Sequence, residues 1–78
     1  MNKHSKAEFF LLGTNVILSD DVAQIAPSLD YLTGNGKWNF DLEDCDKVLR
    51  LTCSKEEKEN VIDYLKINEL FKLEFQNG

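Results

Sequence analysis

Four consecutive apolar residues, Phe9-Phe10-Leu11-Leu12, constrain this chain more than any other feature. A strand sends successive side chains to opposite faces, so this run puts apolar groups on both sides of whatever sheet it joins. Such a strand belongs in the middle of a sheet, and both of its faces call for cover. With 78 residues there is room for one domain to provide that cover, and no second one. The polar residues 1–6 are expected to fray, leaving residues 7–76 as the folded unit.

The periodicity then changes along the chain in a fixed order. Ala7 to Val16 reads as the first strand. Ser19 suits a helix N-cap, and Asp20 and Asp21 follow it where carboxylates favour the positive end of the helix dipole. Val22, Ile25, Ala26, Leu29 and Leu32 recur at helical spacing. Pro27 interrupts that helix, but on a helical wheel it points about 160° away from the apolar stripe, so the carbonyl it orphans can turn to water. Gly34-Asn35-Gly36 ends the segment after Leu32 or Thr33. Lys37 to Glu43 alternates, with Trp38, Phe40 and Leu42 on one side. Asp44-Cys45-Asp46 is turn material, and Lys47 to Cys53 forms the third strand, with Leu49, Leu51 and Cys53 inward and Val48, Arg50 and Thr52 outward. Ser54-Lys55-Glu56-Glu57 fits a capping box and opens a second helix carrying Val61, Ile62 and Leu65, with Asn68 as its left-handed terminator. Phe71, Leu73 and Phe75 alternate with polar residues in a fourth strand, and Leu73 is expected in the core.

The order is β-α-β-β-α-β. Right-handed crossovers fold it into an α+β ferredoxin-like sandwich: a four-stranded antiparallel sheet with two helices on one face, and the first and third strands in the middle.

Charge and composition narrow the function. Fourteen acidic residues against nine basic ones give a net charge of -5. Phosphate backbones and anionic lipid surfaces both call for clustered Lys and Arg, so neither nucleic acid nor a membrane is an expected partner. No apolar run approaches the roughly 20 residues that span a bilayer, and Phe9–Leu12 is too short for a signal peptide, so a soluble cytoplasmic protein is expected. The single histidine, His4, sits in the polar start, and no Ser/His/Asp set or Gly-rich phosphate loop is present, so no enzyme and no cofactor are expected. Cys45 and Cys53 would lie about 26 Å apart if the residues between them were extended, far beyond the roughly 7 Å a disulfide tolerates. An intermolecular bridge through Cys45 is the alternative.

Thr14-Asn15-Val16, Val22, Pro27, Trp38-Asn39-Phe40-Asp41 and Asp46-Lys47-Val48-Leu49 stand in the order and spacing of one family. Over roughly residues 9–67 the chain resembles the heavy-metal-associated domain, a copper- and zinc-chaperone-like βαββαβ module. Its bacterial branch reads T-N-I-x-C-x-x-C-V at the first strand-to-helix junction, then W-x-V-D and D-K-I-L. The resemblance implies a metal carrier whose two thiols would fall on Leu18 and Asp21. Neither is a thiol, and soft ions such as Cu(I) need sulfur ligands. The chain is therefore expected to be a degenerate relative without the metal site.

Carboxylates offer a weaker route to a hard cation, through Asp41, Glu43, Asp44 and Asp46 or through Asp20 and Asp21, but the hairpin string lacks the Gly and terminal Glu of a calcium loop. The sheet offers a stronger feature. If Val16 packs under the helices, so do Phe10 and Leu12, and Phe9, Leu11 and Val48 face the uncovered side beside Arg50. Contiguous exposed apolar area marks association surfaces. A protein-interaction or regulatory module is the expected function, with a second copy of the chain or another protein docking on Phe9, Leu11, Val48 and Arg50. Metal binding through non-thiol ligands and small-molecule sensing are the alternatives, the latter on fold analogy alone.

Overall fold

A computed structural model of the chain describes residues 7–16, 19–43 and 47–75. The elements are β1 (Glu8–Thr14), α1 (Ser19–Thr33), β2 (Trp38–Asp41), β3 (Val48–Cys53), α2 (Lys55–Ile67) and β4 (Phe71–Phe75). Every neighbouring strand pair is antiparallel, in the order β2-β3-β1-β4. This is the expected ferredoxin-like arrangement, and the doubly apolar run sits on a central strand.

One core lies between the sheet and the helices. Phe10 and Leu12 of β1, together with Leu49, Leu51 and Cys53 of β3, meet Ile25 and Leu29 of α1 and Val61, Ile62 and Leu65 of α2. Leu12, Leu29, Leu49, Leu51, Val61 and Leu65 are completely buried, and each such side chain contributes about 1.5–3 kcal/mol through removal from water. Val22, Leu32, Trp38, Phe40 and Leu42 flank this core, half-buried. Val16 lies past the end of β1 but is fully buried, its amide donating to Thr14 Oγ1 at 3.3 Å.

Helix α1 runs through Pro27 without breaking, since Pro27 and Ala23 both lie on its exposed side. The capping role expected of the Ser19 side chain lies outside the described atoms. Gly34, with φ of 104°, ends the helix in a conformation that only glycine adopts without strain. The Trp38 indole N–H then donates to Asp30 Oδ1 at 2.8 Å and ties β2 to α1. β2 is shorter than its alternation suggests: the Glu43 amide donates to Asp41 Oδ1 at 3.2 Å, and this side-chain acceptor replaces a ladder partner and closes the strand at Asp41. At the other end of the hairpin Lys47 has φ of 48°, and its ammonium donates to the Leu42 carbonyl at 2.8 Å.

The capping box of α2 is complete. Ser54 N–H donates to Glu57 Oε1 at 2.9 Å, and Glu57 N–H donates to Ser54 Oγ at 3.1 Å. The C-terminus differs from expectation. Asn68 is not left-handed, at φ of -94°; Glu69 is, at φ of 60°. The Leu70 amide donates to the Leu65 carbonyl at 2.7 Å and the Glu69 amide to the Lys66 carbonyl at 3.1 Å, the paired bonds of a Schellman motif. Leu70 packs onto the core, and docking it there places the turn one residue later than Asn68.

A second departure concerns β4. Gly13 pairs with Leu73 but Thr14 pairs with Phe71, so β4 carries one extra residue, Lys72, at a bulge. The bulge divides the apparent alternation. Phe71 packs on the core, while Leu73, level with Gly13, and Phe75, level with Leu11, fall on the opposite face. Leu73 is thus not a core residue. Glu74, paired with Leu12, takes the inward position instead.

Candidate functional site: the open face of the sheet

Cross-strand partners in an antiparallel sheet share a face. Phe10 and Leu12 are buried under the helices, so Phe9, Leu11 and Gly13 of β1 face away from them. Their partners follow: Thr52, Arg50 and Val48 from β3, and Phe75 and Leu73 from β4. The structure brings the four expected surface residues together on this face and adds Leu73 and Phe75.

The face has two halves. Along β1 and β4 it is apolar. Phe9 is 49% exposed, and Leu11, Leu73 and Phe75 are half-buried. Gly13 supplies a shallow place between strands: a Cβ there would stand 3.3 Å from Leu73 Cγ and 3.4 Å from Phe75 Cε2, so both side chains lean over the glycine. Val48 corrects the expectation of exposure. It is only 8% exposed, although its pairing with Gly13 places it on the outer face. Along β3 and β2 the face is polar. Arg50 donates through Nη2 to Asp41 Oδ2 at 3.0 Å and through Nη1 to Asn39 Oδ1 at 3.3 Å. Both partners of the ion pair are partly exposed, so it contributes at most about 1 kcal/mol.

Behind the sheet lies a polar group that periodicity could have located. Lys58 stands three, four and seven residues before Val61, Ile62 and Leu65, on the inner stripe of α2, and only 6% of it is exposed. Its ammonium donates to Glu74 Oε2 at 2.8 Å, lies 3.5 Å from Glu59 Oε2 and sits 4.8 Å from the centre of the Phe10 ring. The hydrogen bond to Glu74 is the main reason its pKa is raised above the ordinary lysine value; burial opposes it, and the charges of Glu74 and Glu59 add to it. Cys53 is a free thiol, 3% exposed, whose pKa is raised from 9.0 to about 11 by burial first and by the Glu57 charge second. A thiol held neutral in this way is a packing group rather than a nucleophile.

The other candidate positions fare differently. Leu18 lies outside the described residues, and Asp21 is half-buried in the first turn of α1. Asp41 of the acidic hairpin is committed to Arg50 and Glu43 is exposed, while Asp44, Cys45, Asp46 and His4 lie outside the described residues. Among the described residues no group of three or more His, Cys, Asp or Glu could hold a metal ion. On the helical layer, Pro27, Ser28, Tyr31, Leu32 and Tyr64 line an open groove of about 300 Å³, at the small end of ligand-sized clefts. Among the described residues no helix is long and apolar enough to cross a membrane. Compared with known proteins, the chain matches no family model, no curated protein and no solved structure.

Proposed function

We propose that this protein is a non-enzymatic interaction module that kept a metal-chaperone-like architecture without its thiols and binds a protein through the open face of its sheet. The observation that carries this reading is the bulge in β4, which turns Leu73 and Phe75 out beside Leu11 and Phe9. A solvent-facing sheet surface normally alternates toward polar residues. Here the outward positions of two adjacent strands are apolar, the arrangement expected of a surface that is covered in use. The loss of carrier chemistry rests on the residue types at the family's ligand positions, because a leucine at position 18 cannot coordinate a metal.

The test is binding by a folded surface variant. Proteins captured on the wild-type chain are identified and purified, and the interaction is reconstituted with the Leu11→Glu, Phe75→Glu double variant beside it. Both substitutions are on the outer face, so circular dichroism of the variant should match wild type. Reconstituted binding that disappears in the variant supports the reading; binding of equal strength overturns it. Titration with Zn²⁺, Cu(I) and Ca²⁺ addresses carrier chemistry. Micromolar binding abolished by Asp21→Ala would replace this reading with a metal-binding one.

A further inference from the structure

We infer that Asn35, in the exposed turn between α1 and β2, is a site of spontaneous deamidation, at which the Gly36 amide nitrogen closes on the Asn35 side chain and water delivers an aspartyl or isoaspartyl residue. Such a closure needs a side-chain amide, an unshielded backbone nitrogen on the next residue, and a backbone loose enough to bring them together. Asn35-Gly36 supplies all of these. Asn35, Gly36 and Lys37 are exposed. Gly36 has no side chain to shield its nitrogen, and no heavy atom lies within 4 Å of where a Cβ would stand. Among the described residues the Gly36 amide has no hydrogen-bond partner. The helix stop uses the Gly34 amide, which donates to the Asp30 carbonyl at 2.7 Å, and the turn uses the Lys37 amide, which donates to the Gly34 carbonyl at 3.4 Å. That second bond is long for N–H···O, so it holds the turn weakly.

The other described asparagines are protected. Asn15 precedes Val16, which is fully buried and whose amide donates to Thr14 Oγ1 at 3.3 Å. Asn60 precedes Val61, a buried residue inside α2 whose amide is held in the helix ladder. Asn68 donates through Nδ2 to the Tyr64 carbonyl at 2.8 Å, and the Glu69 amide beyond it donates to the Lys66 carbonyl at 3.1 Å. Asn39 lies within β2, accepts from Arg50 Nη1 at 3.3 Å and is followed by the bulky Phe40.

The reaction consumes only water. The Gly36 nitrogen gives its proton to solvent base and bonds to Asn35 Cγ; the Cγ–Nδ2 bond breaks, and Nδ2 takes a proton and leaves as ammonia. Water then opens the succinimide. Cleavage between the Gly36 nitrogen and Cγ gives aspartate, and cleavage between that nitrogen and the Asn35 carbonyl carbon gives isoaspartate. Both products place a carboxylate just past the negative end of α1, whose last turn offers no basic residue to offset it. Isoaspartate also inserts a carbon atom into the main chain. That insertion falls between the Gly34 amide, which closes α1, and the Lys37 carbonyl, which accepts from the Thr52 amide at 2.8 Å and starts the pairing of β2 with β3. Deamidation therefore loosens the junction that the Trp38–Asp30 hydrogen bond ties.

The full chain, aged in mildly alkaline buffer and mapped by tandem mass spectrometry so that each asparagine is read separately, tests this. Asn35 is expected to lose its amide ahead of Asn15, Asn39, Asn60 and Asn68. Gly36→Ala is expected to slow the loss at least about tenfold, equivalent to about 1.4 kcal/mol in the barrier. Gly36 has φ of 77°, which strains an alanine, so circular dichroism checks that this variant is folded. Asn35→Gln makes no demand on the backbone and keeps the test standing if Gly36→Ala unfolds. Aged wild type is expected to show a lower denaturant midpoint and a shifted emission from Trp38, and Asn35→Gln aged alongside it to keep both. Four results overturn the inference: Asn35 retaining its amide; one of the other four losing its amide first; a loss at Asn35 that folded Gly36→Ala does not slow; or aged Asn35→Gln losing stability as fast as wild type.

Discussion

The Lys58 ammonium and the Glu74 carboxylate meet at 2.8 Å on the helical side of the sheet, at a position the alternation of β4 would assign to the outside. The pair joins α2 to the edge strand, and it forms because the bulge at Lys72 turns Glu74 inward. Lys58 is 8% exposed at its side chain and Glu74 37%, so the two ends of the bond are unequal.

That inequality predicts an asymmetric response to mutation. Glu74→Gln leaves a buried ammonium with the weaker Glu59 contact and should cost about 1–3 kcal/mol. Lys58→Met keeps the stem over Phe10 and removes the charge, and should cost less than about 1.5 kcal/mol. Urea denaturation of both variants measures the difference; a larger loss for Lys58→Met would show that the buried charge is not what Glu74 stabilises.

Alkaline pH should destabilise the fold before it affects the surface. The Cys53 pKa is raised from 9.0 to about 11, so between these values the unfolded thiol ionises while the folded one cannot. Stability is therefore full below pH 9.0 and falls as pH rises, by about 2 kcal/mol at pH 11 for a shift of about two units. Lys58 acts in the same direction: its pKa is raised in the fold, and its contribution is lost as pH rises through that value. Denaturant midpoints of wild type and Cys53→Val, followed from about pH 8 to about pH 11, should diverge progressively, with Cys53→Val the flatter curve. Parallel curves would rule out Cys53 as the source.

Glu69 holds a left-handed conformation without being glycine, at φ of 60°, and it is exposed. It also places a carboxylate at the negative end of α2. Glu69→Gly relieves both, and a gain of about 0.5–1 kcal/mol is expected in the denaturant midpoint. A loss would mean that Glu69 makes a contact outweighing its backbone strain.

Ser54 and Glu57 satisfy each other's amides at the start of α2. Ser54→Ala should cost about 0.5–2 kcal/mol, and Ser54→Asp should recover most of it, since an aspartate side chain also accepts from the Glu57 amide. Thermal unfolding of the two variants checks the order; equal melting temperatures would show that the cap is dispensable.

Local chemistry decides much of this molecule, and local chemistry is legible in a sequence. The strand and helix periods, the S-x-x-E box and the glycine stop after α1 each depend on residues within a turn of one another, so the element order and the central place of Phe9–Leu12 follow from them. Phe9, Leu11 and Arg50 could be assigned to the outer face for the same reason, by counting in twos along single strands. Lys58 was within reach of that method too, because its spacing from Val61, Ile62 and Leu65 marks it as inward-facing.

The phase of β4 was not. Phe71-Lys72-Leu73-Glu74-Phe75 has the look of an unbroken alternation, and nothing within those five residues marks Lys72 as the extra one. The slip is set by pairing with β1, where Gly13 accepts Leu73 over its bare backbone and Thr14 takes Phe71. The core claims Phe71, Lys58 claims Glu74, and one inserted residue meets both demands by reversing which face the rest of the strand presents. Sequence alone thus determined that this chain is a βαββαβ sandwich with one face uncovered. Only the tertiary register decided that Leu73 and Phe75 complete the apolar strip on that face, because a strand's side-chain direction is fixed by its neighbours across the ladder and not by its own pattern.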